Sequence, residues 1–96
     1  MEGIINNKKA AAIRELIEQL LLVKFEIAAG IAITDKDLAA LQEALTRNKD
    51  SSKSPIIRKG IDYLLEKKSV SERCINALEN NLEYYSSMLI KSKSKS

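Results

Sequence analysis

Few residues in this chain could support catalysis or bind a metal. The 96 residues include no histidine and a single cysteine, Cys74. Histidine is the commonest general base and the commonest metal ligand, and Ser-His and Cys-His nucleophiles need it. One cysteine without histidine cannot form an ordinary zinc site. We therefore predict that the protein is not an enzyme and that it holds neither a metal nor a cofactor.

Paired carboxylates are the remaining candidates for chemistry. Two glutamate pairs stand at helical spacing, Glu15 with Glu18 and Glu79 with Glu83. Acidic metal sites in helical bundles need Glu-x-x-His pairs that point inward, whereas these glutamates lie away from the apolar stripes. We interpret them as solvated. The three glycines are isolated from one another, so a Gly-rich phosphate loop is also absent.

Charge is distributed unevenly along the chain. The net charge is +3. Residues 1–48 carry six Lys/Arg and seven Asp/Glu, whereas residues 49–96 carry ten and six. This asymmetry points to a partner for the C-terminal half. The sequence lacks the dense basic stripe with interleaved aromatic residues that is typical of nucleic-acid binding.

Cys74 cannot form an internal disulfide, which favours a reducing compartment. It falls on a predicted apolar helix face, where a small core residue is the preferred interpretation and a reactive thiol the alternative. The first residues lack the order of charges and apolar residues of a signal peptide, and no apolar run approaches the roughly 18 residues that span a bilayer. We expect a cytoplasmic protein.

Hydrophobic periodicity predicts four helices. The first runs from about Asn7 to Ala29, with Gly30 as its C-cap. The second begins at Thr34, which acts as N-cap, and ends near Arg47. Residues 48–54 form a polar loop.

The third predicted helix covers about residues 55–67 and begins with Ser54 as cap and Pro55 in the first turn. Gly60 lies inside it, which we attribute to close approach of a neighbouring helix. Ser69 and Glu72 form a capping box for a fourth helix that ends near Ile90.

Short connections make consecutive helices antiparallel neighbours. The sequence therefore predicts an all-α fold, an antiparallel up-down four-helix bundle. Residues 1–90 form a single domain in this interpretation, and residues 91–96 form a flexible Lys/Ser tail. We expect a monomer or a weak dimer.

Two apolar residues of the first helix break its pattern. Leu22 and Phe25 fall on the polar side, among charged residues. Either another helix covers that flank, or the two residues form a small exposed apolar contact for a partner or a second copy.

Surface recognition in the C-terminal half is predicted from basic and aromatic residues. As single residues they could equally be ordinary solvated charges or half-buried aromatics, but they concentrate in one half of the chain. The predicted partner-binding set is Arg58, Lys59, Tyr63, Lys67, Lys68, Tyr84, Lys91, Lys93 and Lys95.

From Ile13 to Lys91 the chain resembles the immunity proteins of class II bacteriocins, of the pediocin/enterocin A-like or lactococcin A-like type. The similar segments are a leucine-rich first helix, the segment 33–45, Pro55-Ile56-Ile57 ahead of Tyr63-Leu64, and Leu82-Glu83-Tyr84-Tyr85 with its Lys/Ser tail.

The resemblance implies a small cytoplasmic four-helix bundle that protects the producing cell from its own pore-forming peptide. It implies action at the cytoplasmic face of a mannose phosphotransferase-type permease to which the bacteriocin is docked. Lysine-rich segments are attracted to the anionic inner membrane face, so peripheral membrane contact fits this interpretation. The alternative is a small helical adaptor or secretion chaperone that binds a partner helix, and nucleic acid is not expected as a partner.

Overall fold

The computed structural model describes residues 7–94, and side chains within residues 7–91. Two long helices account for most of this range: α1 spans Asn7–Arg47 and α2 spans Ser54–Ser94. No strand occurs between residues 7 and 94. The predicted all-α class is confirmed, but the described chain contains two helices where four were predicted.

The helix breaks predicted at Gly30 and near Ser69 are wrong. Gly30 is helical, and the hydroxyl of Thr34, the predicted N-cap, donates a 3.0 Å hydrogen bond to the Gly30 carbonyl within α1. Ser69 lies inside α2. A helix tolerates Gly or Ser in its interior at a cost of about 1 kcal/mol or less, which continued packing of the flanking turns offsets. α2 also extends to Ser94, into the segment predicted as a tail.

Burial along each helix alternates in steps of three and four residues, the heptad spacing of helices that pack as a coiled coil. The less exposed residues of α1 at this spacing are Ile13, Ile17, Leu20, Lys24, Ile27, Ile31, Thr34, Leu38, Leu41 and Leu45. Those of α2 are Ile57, Ile61, Leu64, Lys68, Ser71, Ile75, Leu78, Leu82, Tyr85 and Leu89. Most of the residues that hydrophobic periodicity predicts on the apolar faces lie at these positions, among them Leu38, Leu41, Ile57 and Leu64. Val23, Leu65 and Cys74 were also predicted on these faces but are exposed.

The chain divides into two units. Unit 1 combines α1 up to Glu26 with α2 from Ile75, and Ile13 is its buried hydrophobic residue. Unit 2 comprises Ile27–Cys74, a helical hairpin that includes the loop, and Leu38 is its buried hydrophobic residue.

The loop of unit 2 is closed by local hydrogen bonds. The Asn48 side chain donates to the Ala44 carbonyl at 2.7 Å, and the Lys53 amide donates to the Ser51 hydroxyl at 2.9 Å. Ser54 is buried at the first position of α2, next to Pro55. The polar loop was predicted correctly, and α2 begins one residue before the predicted start. The Ile57 amide donates to the Lys53 carbonyl at 3.1 Å, so Lys53 occupies the cap position that was predicted for Ser54.

The close approach predicted at Gly60 is confirmed. A Cβ atom at Gly60 would lie 3.3 Å from the Leu41 Cδ1 atom, whereas a Cβ at Gly30 would meet nothing within 4 Å. The Leu41 side chain thus packs closely against α2 at Gly60, and a methyl group there would require it to shift.

The two helical glycines give a matched test of this packing. G30A is expected to stabilise the protein by about 1 kcal/mol, the difference in helix propensity between Ala and Gly. G60A is expected to gain clearly less, because Leu41 must move to admit the new methyl group. Denaturant unfolding of both variants measures the difference, and equal stabilisation would contradict close packing at Gly60.

Candidate functional site: exposed apolar surfaces on both helices

Leu22 and Phe25 lie in the open on α1. Their exposed fractions are 64% and 74%, and Leu21 beside them is half exposed. Leu22 and Phe25 are three residues apart and Leu21 and Phe25 four, so all three share one side of the helix. We call Leu21, Leu22 and Phe25 the α1 surface. No other helix of the described residues covers this flank, so the first of the two interpretations is wrong; a contact with a partner or a second copy stays a prediction.

Acidic side chains border the α1 surface. Glu18 precedes Leu22 by four residues, Glu26 follows it by four, and both are exposed. An apolar patch with an acidic border suits a partner that presents an apolar face flanked by Lys or Arg. Burial of the exposed part of Leu22 or Phe25 in a complex would contribute about 1–2 kcal/mol to binding for each side chain.

A second apolar series lies on α2. Tyr63 and Val70 are seven residues apart and are 65% and 48% exposed. Ile56, seven residues before Tyr63, is also exposed. Tyr63, Glu66, Lys67, Val70 and Ser71 line a groove of about 390 Å³ in unit 2. The structure therefore brings together two of the predicted binding residues, Tyr63 and Lys67.

The other predicted basic residues of unit 2 have different surroundings. Arg58 and Lys59 are exposed and are the fifth and sixth residues of α2. The first turn of α2, which precedes them, contains no acidic residue. Lys68 lies at the packed face, where its ammonium group forms a 2.7 Å ion pair with Asp35. Its charge is thus engaged within unit 2.

The remaining predicted residues belong to the last part of α2. Tyr84 is exposed and packs edge-to-face against Tyr85, with ring centroids 5.2 Å apart. Lys91 is exposed near the end of the described side chains. The side chain of Lys93 and the whole of Lys95 lie outside the described residues.

The hydrogen bond to Asp35, and then its negative charge, raise the pKa of Lys68 above the ordinary 10.5. A raised pKa in the folded chain means that this pair stabilises the fold at pH values below 10.5 and stops doing so as pH rises through the raised pKa.

The K68M variant should therefore have a lower thermal unfolding midpoint than the wild type at about pH 8, and the difference should shrink towards about pH 12. A constant difference would contradict a role for the ion pair.

Cys74 is exposed, so its predicted place in the core is wrong. It lies next to the packed position Ile75, at the edge of the buried face. Residues 7–94 contain no cluster of His, Cys, Asp and Glu that could hold a metal ion. Neither described helix is long and apolar enough to cross a membrane.

Ile56 and Val70 were not among the predicted binding residues. The signal that could have found them is their seven-residue spacing with Tyr63, which repeats on the side of α2 away from the packed positions. Val23 of α1 was predicted to lie on the apolar face of the first helix, but it is 43% exposed, so that prediction is wrong. Ile33, which is 63% exposed, had been assigned to no surface.

Comparison of the chain with protein-family models, curated proteins and solved structures found no match.

Proposed function

We propose that this protein is a small helical adaptor that binds another protein through the α1 surface. The observation that carries the proposal is the exposure of Leu22 and Phe25 on one side of α1. Large apolar side chains grouped on a solvent-facing surface are typical of an interaction site. Their acidic border favours a partner helix with an apolar stripe and basic flanks.

Purification of the tagged full-length chain from its native cell tests the proposal. We expect one protein to be recovered in roughly equal molar amount, since an adaptor or chaperone forms a defined complex. Recovery of only substoichiometric background at physiological salt would contradict the proposal.

The second candidate is a bacteriocin immunity protein, as the resemblance implies. The observation that favours it is the exposed pair Arg58 and Lys59, in a helix start without acidic residues. Two adjacent exposed positive charges suit an acidic partner or an anionic membrane face. In this proposal the protein is cytoplasmic and acts on a mannose phosphotransferase-type permease with docked bacteriocin.

Challenge of a sensitive lactic acid bacterium that expresses the chain tests this candidate. Protection against one member of a panel of class II bacteriocins would support it, if R58E/K59E reduces that protection and K36E retains it. K36E is the control because Lys36 is an exposed lysine on the other helix. Survival no better than that of the empty-vector strain against every member would exclude it.

A four-helix bundle, the fold that the resemblance implies, contains twice the number of helices described here. We propose that a bundle of this kind forms from two copies of the chain, which pair through α2.

A further inference from the structure

We infer that a second copy of this chain docks on α2 of unit 2, over the surface formed by Ile56, Tyr63, Glu66, Lys67 and Val70. This α2 surface is separate from the α1 surface of unit 1, and its occupant is independent of the partner proposed above.

The groove on this surface has the form that helix–helix packing requires. Four of its lining residues, Tyr63, Glu66, Lys67 and Val70, stand at positions i, i+3, i+4 and i+7. Four residues at this spacing form the hole that receives a side chain from a facing helix in coiled-coil packing. The groove thus fits an apolar side chain of another helix.

The apolar residues around the hole repeat at the interval that such packing needs. Ile56, Tyr63 and Val70 follow one another at intervals of seven residues, and all three are exposed. A strict seven-residue repeat keeps a stripe facing the same neighbour along the helix, whereas scattered exposed residues would drift around it. α2 therefore carries one such repeat against α1 in unit 2 and a second that faces solvent.

The charges at the hole favour a second copy as the occupant. Glu66 and Lys67 are adjacent and opposite in sign. In an antiparallel pair of α2 helices with a two-fold axis between these residues, Glu66 of each copy faces Lys67 of the other. The same register places Tyr63 opposite Val70 of the second copy. The segment from Tyr63 to Val70 thus matches itself, as a two-fold interface requires.

Sedimentation velocity of the full chain at concentrations from about 5 µM to about 500 µM tests the inference. We expect the wild type to form a dimer in this range and V70E to raise the dimer dissociation constant roughly 30-fold or more. L65E is the matched control, because Leu65 is 49% exposed in the same unit but lies outside the α2 surface. Circular dichroism shows whether each variant keeps its helix content.

A charge exchange tests the two-fold register. E66K alone places lysines opposite each other and should weaken the dimer about tenfold, and E66K/K67E should restore it. A wild type that is monomeric throughout, a dimer that V70E leaves intact, equal effects of V70E and L65E, or a failure of the double exchange to restore association would each overturn the proposal.

Discussion

L22E/F25E is expected to lower affinity for the stoichiometric partner roughly 100-fold and to leave helix content unchanged. Both side chains are mostly exposed, so their replacement removes apolar contact area from the complex without opening a cavity in unit 1. The introduced carboxylates also add to the acidic border formed by Glu18 and Glu26. Isothermal titration calorimetry with the purified partner measures the change.

I90E is the matched control for this prediction. Ile90 is 66% exposed, belongs to the same unit and is also a large aliphatic residue, but it lies on α2. Its substitution should change partner affinity by less than about threefold. Equal loss of affinity in I90E and L22E/F25E would show that added negative charge, and not the α1 surface, is responsible.

L38A is expected to destabilise the fold by about 3 kcal/mol. Leu38 is 6% exposed at the packed face of unit 2, so truncation removes buried methyl groups and leaves a cavity. Denaturant unfolding, followed by circular dichroism at one fixed chain concentration, measures the loss. The fixed concentration keeps any contribution from self-association constant.

L65A provides the comparison for L38A. Leu65 is the same residue type in the same unit, but it is half exposed, and its truncation should cost less than about 1 kcal/mol. Similar losses for the two variants would contradict the assignment of Leu38 to the buried face.

Periodicity predicted the buried faces well and the helix ends poorly. Leu38, Leu41, Ile57 and Leu64 were placed correctly because apolar spacing records which side of a helix meets its neighbour. The breaks at Gly30 and Ser69 were predicted from local capping signals. Such signals contribute about 1 kcal/mol, whereas packed positions continue on both sides of each residue and favour an unbroken helix.

The exposed surfaces were predictable to different degrees. Leu22 and Phe25 were found because they interrupt a pattern, and the structure shows that no other described helix covers them. Tyr63 was found as a single aromatic residue, but its relation to Ile56 and Val70 depends on a seven-residue interval along one continuous helix. Cys74 was misplaced because it adjoins Ile75, and the edge of a buried face shifts by about 20° per heptad between 3.6- and 3.5-residue periods.

Side-chain labelling of the chain by hydroxyl radicals, alone and in complex with the partner, tests the proposed function most directly. The proposal predicts that labelling of Leu22 and Phe25 falls strongly in the complex, whereas labelling of Ile90 does not change. Equal labelling of Leu22 and Phe25 in the free and bound chain would show that the α1 surface is not where the partner binds.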